Sequence, residues 1–396
     1  MRQLDPGKDF GDFKARRAEF RKRAEEHKAV VTEAVDAFDP YDTDALYDLG
    51  SATMVLGDYK GANEIFDRIV AARPGNTQAR WTRCFTAWAL CRWATAWSDH
   101  IYGLPIEGRF ARARFKQLEP EDVSAALTDP LAVPGRAKTP PRRIWDETTT
   151  VFVWGEQGLG DQILFARWLP LLKSLGCRVV FECDPKLVRL FKASKEPLAD
   201  RIVGRKKHFD DPEPYDYQCA LLDLPYLLGS VFGYAPPPPF QVDVEPAGEP
   251  EDAWGFVRCS NTDTHFNQPH RSADADECTA FTDNYWYVSF NPSDESNGCG
   301  QDILETAQQL KRFHGIVTID SCMAHLGPTI GIETIVIPPL NHDARWGVEG
   351  DSAFYPDAKV VRALPGETSF TRLFEEAAKV CGDRGRVKED CPASQS

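Results

Sequence analysis

The chain has 396 residues, a formal net charge of −14 and 42% hydrophobic residues, enough to bury the cores of two or three domains. The acidic balance disfavours non-specific nucleic-acid binding by the whole surface, and no run of about eighteen apolar residues offers a membrane-spanning helix. Eleven cysteines, without a C-x-x-C pair, argue against both a disulfide framework and a zinc site and fit a reducing, cytoplasmic setting.

Residues 10–38 read as a charged helix with sparse apolar positions at Phe10, Phe13, Phe20, Val30, Val31 and Val35, stopped by Asp39-Pro40. The first thirty residues are dense in Arg, Lys, Glu and Asp and lack the apolar core of a secretory signal. The stretch 43–76 is more specific. Leu46, Leu49 and Gly50 fall in one helix, Gly57-Asp58-Tyr59 makes a turn, Ala62 and Phe66 lie on a second helix, and Pro74 ends the unit. Small residues where helices cross, large ones between and proline at the exit match the tetratricopeptide pattern. A worn second unit runs through Arg80-Trp81, Ala87, Trp93 and Ala96 and departs near Asp99. So few repeats cannot bury a solenoid core, so the helical tetratricopeptide-like region 1–102 is expected to pack against the next domain.

Residues 103–146 read as a connector, with turn signals at Pro134-Gly135, a basic cluster at Thr139-Pro140-Pro141-Arg142-Arg143 and a short helix at 120–127. An α/β pattern comes after it. Apolar β-type runs at 151–154, 178–182, 201–203 and 218–222 alternate with helical segments at 161–175, 185–193 and 223–229. Four prolines at 236–239 form a stiff extended spacer. A second set has strands at 255–259, 287–291, 315–319, 334–337 and 360–362, with helices at 301–313, 325–330 and 370–380. The polar tail 383–396 is expected to be disordered. The fold class is therefore α/β: a helical region, then Rossmann-like domains at 147–240 and 250–382, facing each other across a cleft.

Two turns carry candidate chemistry. The first joins strand 151–154 to its helix, with glycines at Gly155, Gly158 and Gly160. Their spacing is three then two, the reverse of the dinucleotide fingerprint. Gly155, Gln157, Gly158 and Gly160 would form a loop in close approach to a ligand, with Glu156 and Asp161 as acid/base candidates; alternatively, Asp161 only caps the helix. The second turn succeeds strand 315–319 and reads Asp320-Ser321-Cys322-Met323-Ala324-His325-Leu326-Gly327. It is an anion site of backbone N–H groups, hydroxyl and helix dipole. His325 is either a charged donor there or a satisfied structural histidine. Pro328 costs roughly 3 kcal/mol inside a helix, which places the helix start near His325. Upstream, His265, Asn267, His270, Asp274 and Asp276 make a polar loop. The Asp274-x-Asp276 pair lacks a preceding apolar strand, so no metal is assigned.

The block 155–161 with Gln162, Phe165, Ala166, Arg167, Leu169 and Pro170 resembles a block of glycosyltransferase family nine, the heptosyltransferase-like group. The set Asp320, Ser321, Ala324, His325, Leu326 and Gly331 resembles a second block of that family, and Arg345-Trp346 with Tyr355-Pro356 a third. Arg271-Ser272 sits where the family has an Arg-Ser near the donor. With the repeats, the chain is similar to bacterial tetratricopeptide-repeat glycosyltransferases from residue 43 to about 380. The resemblance implies a GT-B fold, with acceptor mainly on the first α/β domain and nucleotide-sugar on the second. It implies inversion without a bound metal or cofactor. Asp161 would be the base, with Glu156 as runner-up. Asp320, Ser321, Met323, Ala324 and His325 would cradle the diphosphate, and Arg271 and Arg345 would neutralise its charge. Two departures stand out: Gly327-Pro328 after His-Leu, and the absence of a basic residue in 291–300. They leave the donor open.

Three classes remain. The first transfers a sugar from a nucleotide-sugar to a glycan, glycolipid, peptide or other hydroxyl acceptor, with the repeats offering a face to a protein partner. The second is a dinucleotide-dependent oxidoreductase, with Glu182 and Asp184 placed as ribose-binding acids. The third is a scaffold in which the transferase half is a relic.

Overall fold

The computed structural model describes residues 13–37, 42–103, 116–125, 145–205, 215–259, 271–291, 294, 296–338 and 344–386. The basic cluster at 139–143, the histidines at 265 and 270 and the tail beyond 386 lie outside them. The chain divides into two compact units, one of residues 70–243 and one combining 1–69 with 244–396. Each is described by itself.

Among the described residues the first helices are α1 (Phe13–Ala37), α2 (Thr43–Val55), α3 (Tyr59–Ala72), α4 (Thr77–Ala89) and α5 (Trp93–His100). Thr43 and Thr77 open the first helices of two hairpins and Tyr59 and Trp93 the second ones, each pair 34 residues apart. Gly50 is the close-approach position of the first hairpin, because a Cβ there would lie 2.9 Å from the Phe66 ring. Asp42 and Asn76 cap α2 and α4 through their side chains. The second hairpin belongs to unit 70–243. There Trp88 meets Phe165 edge-on at 5.7 Å and Trp97 meets Trp168 at 5.9 Å, geometries that suit aromatic quadrupoles.

The first sheet contains β1 (Lys116–Gln117), β2 (Thr150–Trp154), β3 (Arg178–Cys183), β4 (Arg201–Gly204) and β5 (Tyr217–Ala220), in the order β1-β5-β2-β3-β4. All its pairings are parallel. β1 was not expected from sequence; two residues inside a polar stretch carry no periodic signal. Val151, Phe152 and Val153 are fully buried, as a strand covered on both faces must be. The helix expected over 161–175 is broken into Leu159–Phe165, a 3-10 turn Ala166–Trp168 and Leu169–Ser174. Pro170 lacks an N–H and cannot continue the ladder, so the backbone tightens just ahead of it. The four prolines belong to no helix or strand, and the Pro237 carbonyl accepts from Arg167 Nη1 at 3.1 Å.

The second sheet contains β6 (Trp254–Val257), β7 (Tyr287–Ser289), β8 (Gly315–Ile319), β9 (Glu333–Ile337) and β10 (Lys359–Val360), ordered β10-β9-β8-β6-β7 and again parallel throughout. Helix Thr371–Cys381 closes this domain. Part of the expected tail is held in place: Arg384 accepts from Trp254 Nε1 at 2.8 Å through its carbonyl, and Arg386 bridges Tyr285. Helices followed by two Rossmann-like parallel sheets are the element order of a GT-B-like chain. Among the described residues no helix is long and apolar enough to cross a membrane.

Candidate functional site

At the carboxyl edge of the first sheet, β2 runs into the glycine loop, where open parallel sheets place their ligands. Gly155 donates its N–H to the Glu182 carbonyl at 2.6 Å. A Cβ at Gly155 would lie 2.7 Å from Gln162 Oε1 and 2.9 Å from that carbonyl, so only glycine fits. Gln162 Oε1 in turn accepts the Asp184 N–H at 2.9 Å. Gln157 holds φ at +58°, a left-handed conformation that costs a non-glycine residue on the order of 1 kcal/mol. Gly158 is the N-cap of helix Leu159–Phe165, and Asp161 Oδ2 accepts the Gly158 N–H at 3.0 Å. Asp161 therefore does cap the turn, while its side chain stays only half-buried; Glu156 is buried.

Arg205, just past β4, was not singled out from sequence. Its guanidinium donates to the Gly155 carbonyl and lies 3.9 Å from Glu182 Oε1. A cation directly after an apolar strand, at the sheet's carboxyl end, was the available signal. The two acids weighed for ribose binding are committed elsewhere. Glu182 is buried beside Arg205, and Asp184 Oδ1 accepts the Lys186 N–H at 2.9 Å.

At the carboxyl edge of the second sheet, β8 ends at Asp320. The next helix is Cys322–Thr329 with Ser321 as N-cap, starting three residues before the expected His325. Pro328 lies inside this helix, next to its last residue, and gives up one N–H bond of the ladder. Gly327 ahead of it packs closely on β9: a Cβ there would sit 2.3 Å from Thr334 Oγ1. Ser321 Oγ accepts the Met323 N–H at 3.2 Å. Thr318 Oγ1 donates to the Ile319 carbonyl, so the Ser321 hydroxyl donates to Thr318 at 3.1 Å. Met323 and Ala324 are buried behind this cap.

Three sequence blocks converge beneath it. Asp320 Oδ2 accepts from Arg271 Nη2 at 2.6 Å, and the Asp320 carbonyl accepts from the same nitrogen at 2.9 Å. Asp320 Oδ1 accepts from Trp346 Nε1 at 2.9 Å. His325 stacks on Trp346 with centroids 5.4 Å apart and planes 22° apart. Its Nδ1 lies 3.2 Å from Tyr355 Oη, and its Nε2 4.0 Å from Asp320 Oδ1. Asp320 and His325 are each 1% exposed. Both were expected against a diphosphate, and both are enclosed. Their side chains hold the turn from behind.

Arg271 keeps 21% of its side chain exposed, and its buried Nε has no hydrogen-bond partner among the described residues. Arg345 is half-buried in the 3-10 turn Ala344–Trp346. Arg362, also missed, staples that turn by donating to the carbonyls of Trp346, Gly347 and Gly350. The Asp274 carboxylate, considered above for a metal, accepts the N–H groups of Phe13 and Lys14 at 3.1 and 2.9 Å.

No protein-family model matches the chain, and no curated protein does. Among solved structures the chain is similar to a glycosyl transferase family 9 protein from Veillonella parvula, at 12% identity over 60% of this chain and 93% of that one, with a TM-score of 0.39. It is similar to the iron-containing dodecameric glycosyltransferase TibC from enterotoxigenic E. coli, at 13% identity over 60% and 68%, with a TM-score of 0.41. It is also similar to the E. coli heptosyltransferase WaaC with ADP, at 10% identity over 59% and 98%, with a TM-score of 0.39. All three scores lie below 0.5, so the fold stands on the coordinates and the chemistry on the residues.

Proposed function

We propose that the chain is a GT-B-type glycosyltransferase that moves a sugar from a nucleotide-sugar donor to a hydroxyl acceptor, with inversion and without a bound metal. The observation that carries this reading is the Arg271–Asp320–Trp346 network beneath the capped start of helix Cys322–Thr329. A cation fixed on Asp320, whose buried Nε has no hydrogen-bond partner among the described residues, beside a helix N-terminus supports the binding of a departing nucleoside diphosphate. In the step, the acceptor oxygen bonds to the anomeric carbon, the bond from that carbon to the diphosphate oxygen breaks, and the acceptor proton passes to a carboxylate. Asp161 is the base in this reading and Glu156 the runner-up, because Asp161 is half-exposed and Glu156 buried. In this reading the start of helix Cys322–Thr329 turns its dipole to the diphosphate, Arg271 and Arg345 balance its charge, and Asp320, Ser321 and His325 hold the turn in place. The 34-residue offset of the two hairpins supports a tetratricopeptide-like region that docks a peptide or protein, as acceptor or as partner.

A thermal-shift panel of UDP, GDP, CDP, ADP and TDP, their sugars and NAD(H), with and without a chelator, tests the reading. A ligand that binds only the folded state adds about 2.7 kcal/mol at a hundredfold excess over Kd, a rise of roughly 5–10 °C for a unit of this size. The expected result is a chelator-insensitive shift with one nucleoside diphosphate. A shift with NAD(H) alone would transfer the chain to the oxidoreductases, and no shift at all would leave a helical scaffold.

A further inference from the structure

The buried stripe of α1 runs through Phe13, Arg17, Val31 and Val35, and Arg17 is the anomaly in it. A guanidinium on the buried face of an amphipathic helix must be fully partnered. Arg17 Nη2 donates to Glu277 Oε1 and Oε2 at 2.7 and 2.6 Å. Nη1 donates to the Ser272 carbonyl at 2.7 Å, and Nε to the Thr368 carbonyl at 2.9 Å. The guanidinium carbon also lies 4.9 Å from the Phe370 ring centroid. One turn earlier, the Asp274 carboxylate supplies the cap that the first N–H groups of α1 need. Glu277 is the node of the assembly, accepting also from Asp274 N, Phe370 N and Ser369 Oγ at 2.8–2.9 Å.

The segment gripped in this way begins at Arg271, whose guanidinium holds Asp320. The Ser272 carbonyl lies in the peptide unit next to the one that joins Arg271 to Ser272, with only the φ and ψ of Ser272 between them, so fixing it narrows the positions open to Arg271. A buried ion pair is a poor source of net stability, because desolvation offsets most of its attraction. What a forked guanidinium does supply is position, by tying three separate acceptors to one rigid plane.

We propose that α1 is a clamp on the Arg271–Asp320 pair, with Arg17 as a positioning residue for nucleoside diphosphate binding; the ligand class rests on the function proposed above. Two variants test it. Arg17→Met with Glu277→Gln removes the Ser272 anchor without stranding a buried carboxylate. Arg17→Lys keeps the charge for Glu277 but cannot span Ser272, Thr368 and Glu277 together, and it serves if the double variant does not fold. Amide hydrogen exchange is measured well below the melting temperature. Each folded variant should exchange at least about fivefold faster over 271–278 and 320–326, with no change over 155–161 in the other unit. Affinity for the nucleoside diphosphate that wild type binds, among UDP, GDP, CDP, ADP and TDP, should fall at least about fivefold. Unchanged exchange over 320–326 in a folded variant overturns the clamp, and so does unchanged affinity. Wild type that binds none of the five overturns the nucleotide reading instead, and the exchange result still decides the clamp.

Discussion

Asp320→Asn separates a side chain that builds the site from one that works in it. The wild-type carboxylate gives Oδ2 to Arg271 at 2.6 Å and Oδ1 to Trp346 Nε1 at 2.9 Å, at 1% exposure. Asparagine has one acceptor oxygen. Turned to Arg271, it sets its NH2 against the indole N–H; turned to Trp346, it sets the NH2 against the guanidinium. One charge-assisted bond is lost, worth about 1.5–3 kcal/mol, and the partly buried Arg271 loses its counter-charge, so the total is about 3–5 kcal/mol. For a unit of roughly 220 residues, where 1 kcal/mol moves the midpoint by about 2–4 °C, the melting temperature should fall by roughly 10 °C. Asp161→Asn is the contrast. Its amide oxygen still accepts the Gly158 N–H at a half-exposed helix start, so stability should change by less than about 1 kcal/mol, while turnover should drop at least about a hundredfold. Circular-dichroism melts of both variants beside wild type make the comparison. An Asp320→Asn midpoint within about 2 °C of wild type, or equal losses in the two variants, would refute the assignment of Asp320 to a closed hydrogen-bond network.

Gly155→Ala forces a methyl against Gln162 Oε1 and the Glu182 carbonyl and should cost about 1–3 kcal/mol in urea unfolding; a neutral result would mean the loop has room to shift. Burial alone would raise the Glu277 carboxyl, but the hydrogen bonds from Asp274 N, Arg17 and Phe370 N outweigh it and hold the group below its ordinary 4.5. A depressed carboxyl contributes stability that is complete above pH 4.5 and is lost as the pH falls through its folded value. Melting temperatures taken from about pH 6 down to about pH 3 should therefore fall less steeply in Glu277→Gln than in wild type, and parallel curves would count against a charged Glu277. Burial also pushes the thiols of Cys177, Cys183 and Cys381 up to about 12, whereas Cys91 is exposed. Iodoacetamide at about pH 8 should label Cys91 in the native protein and the three buried thiols only after denaturation, as peptide mass spectrometry would read; native labelling of Cys177 at the Cys91 rate would contradict the packing.

Much of the fold was legible in local signals. The strands around 151–154, 178–182 and 315–319 announced themselves as short apolar runs, because a parallel strand covered on both faces has no polar side to show. The glycine loop and the first helix hairpin were readable because a turn and a helix crossing constrain residues only a few positions apart, whereas the 34-residue offset of the second hairpin came from the structure. Pro328 misled, since the start of the helix is set by the Ser321 cap, and the proline costs one bond inside it without moving that start. The roles of individual polar residues were settled only by folding. Sequence placed Asp320 and His325 at a strand end; tertiary packing enclosed them with Trp346 and Tyr355 and left Arg271 at the edge. Arg17 looked like one more charge in a charged helix until its partner Glu277, 260 residues away, was brought onto it. Helix and strand propensities act within a few residues, but burial of a charge is decided by what the rest of the chain supplies to pair with it.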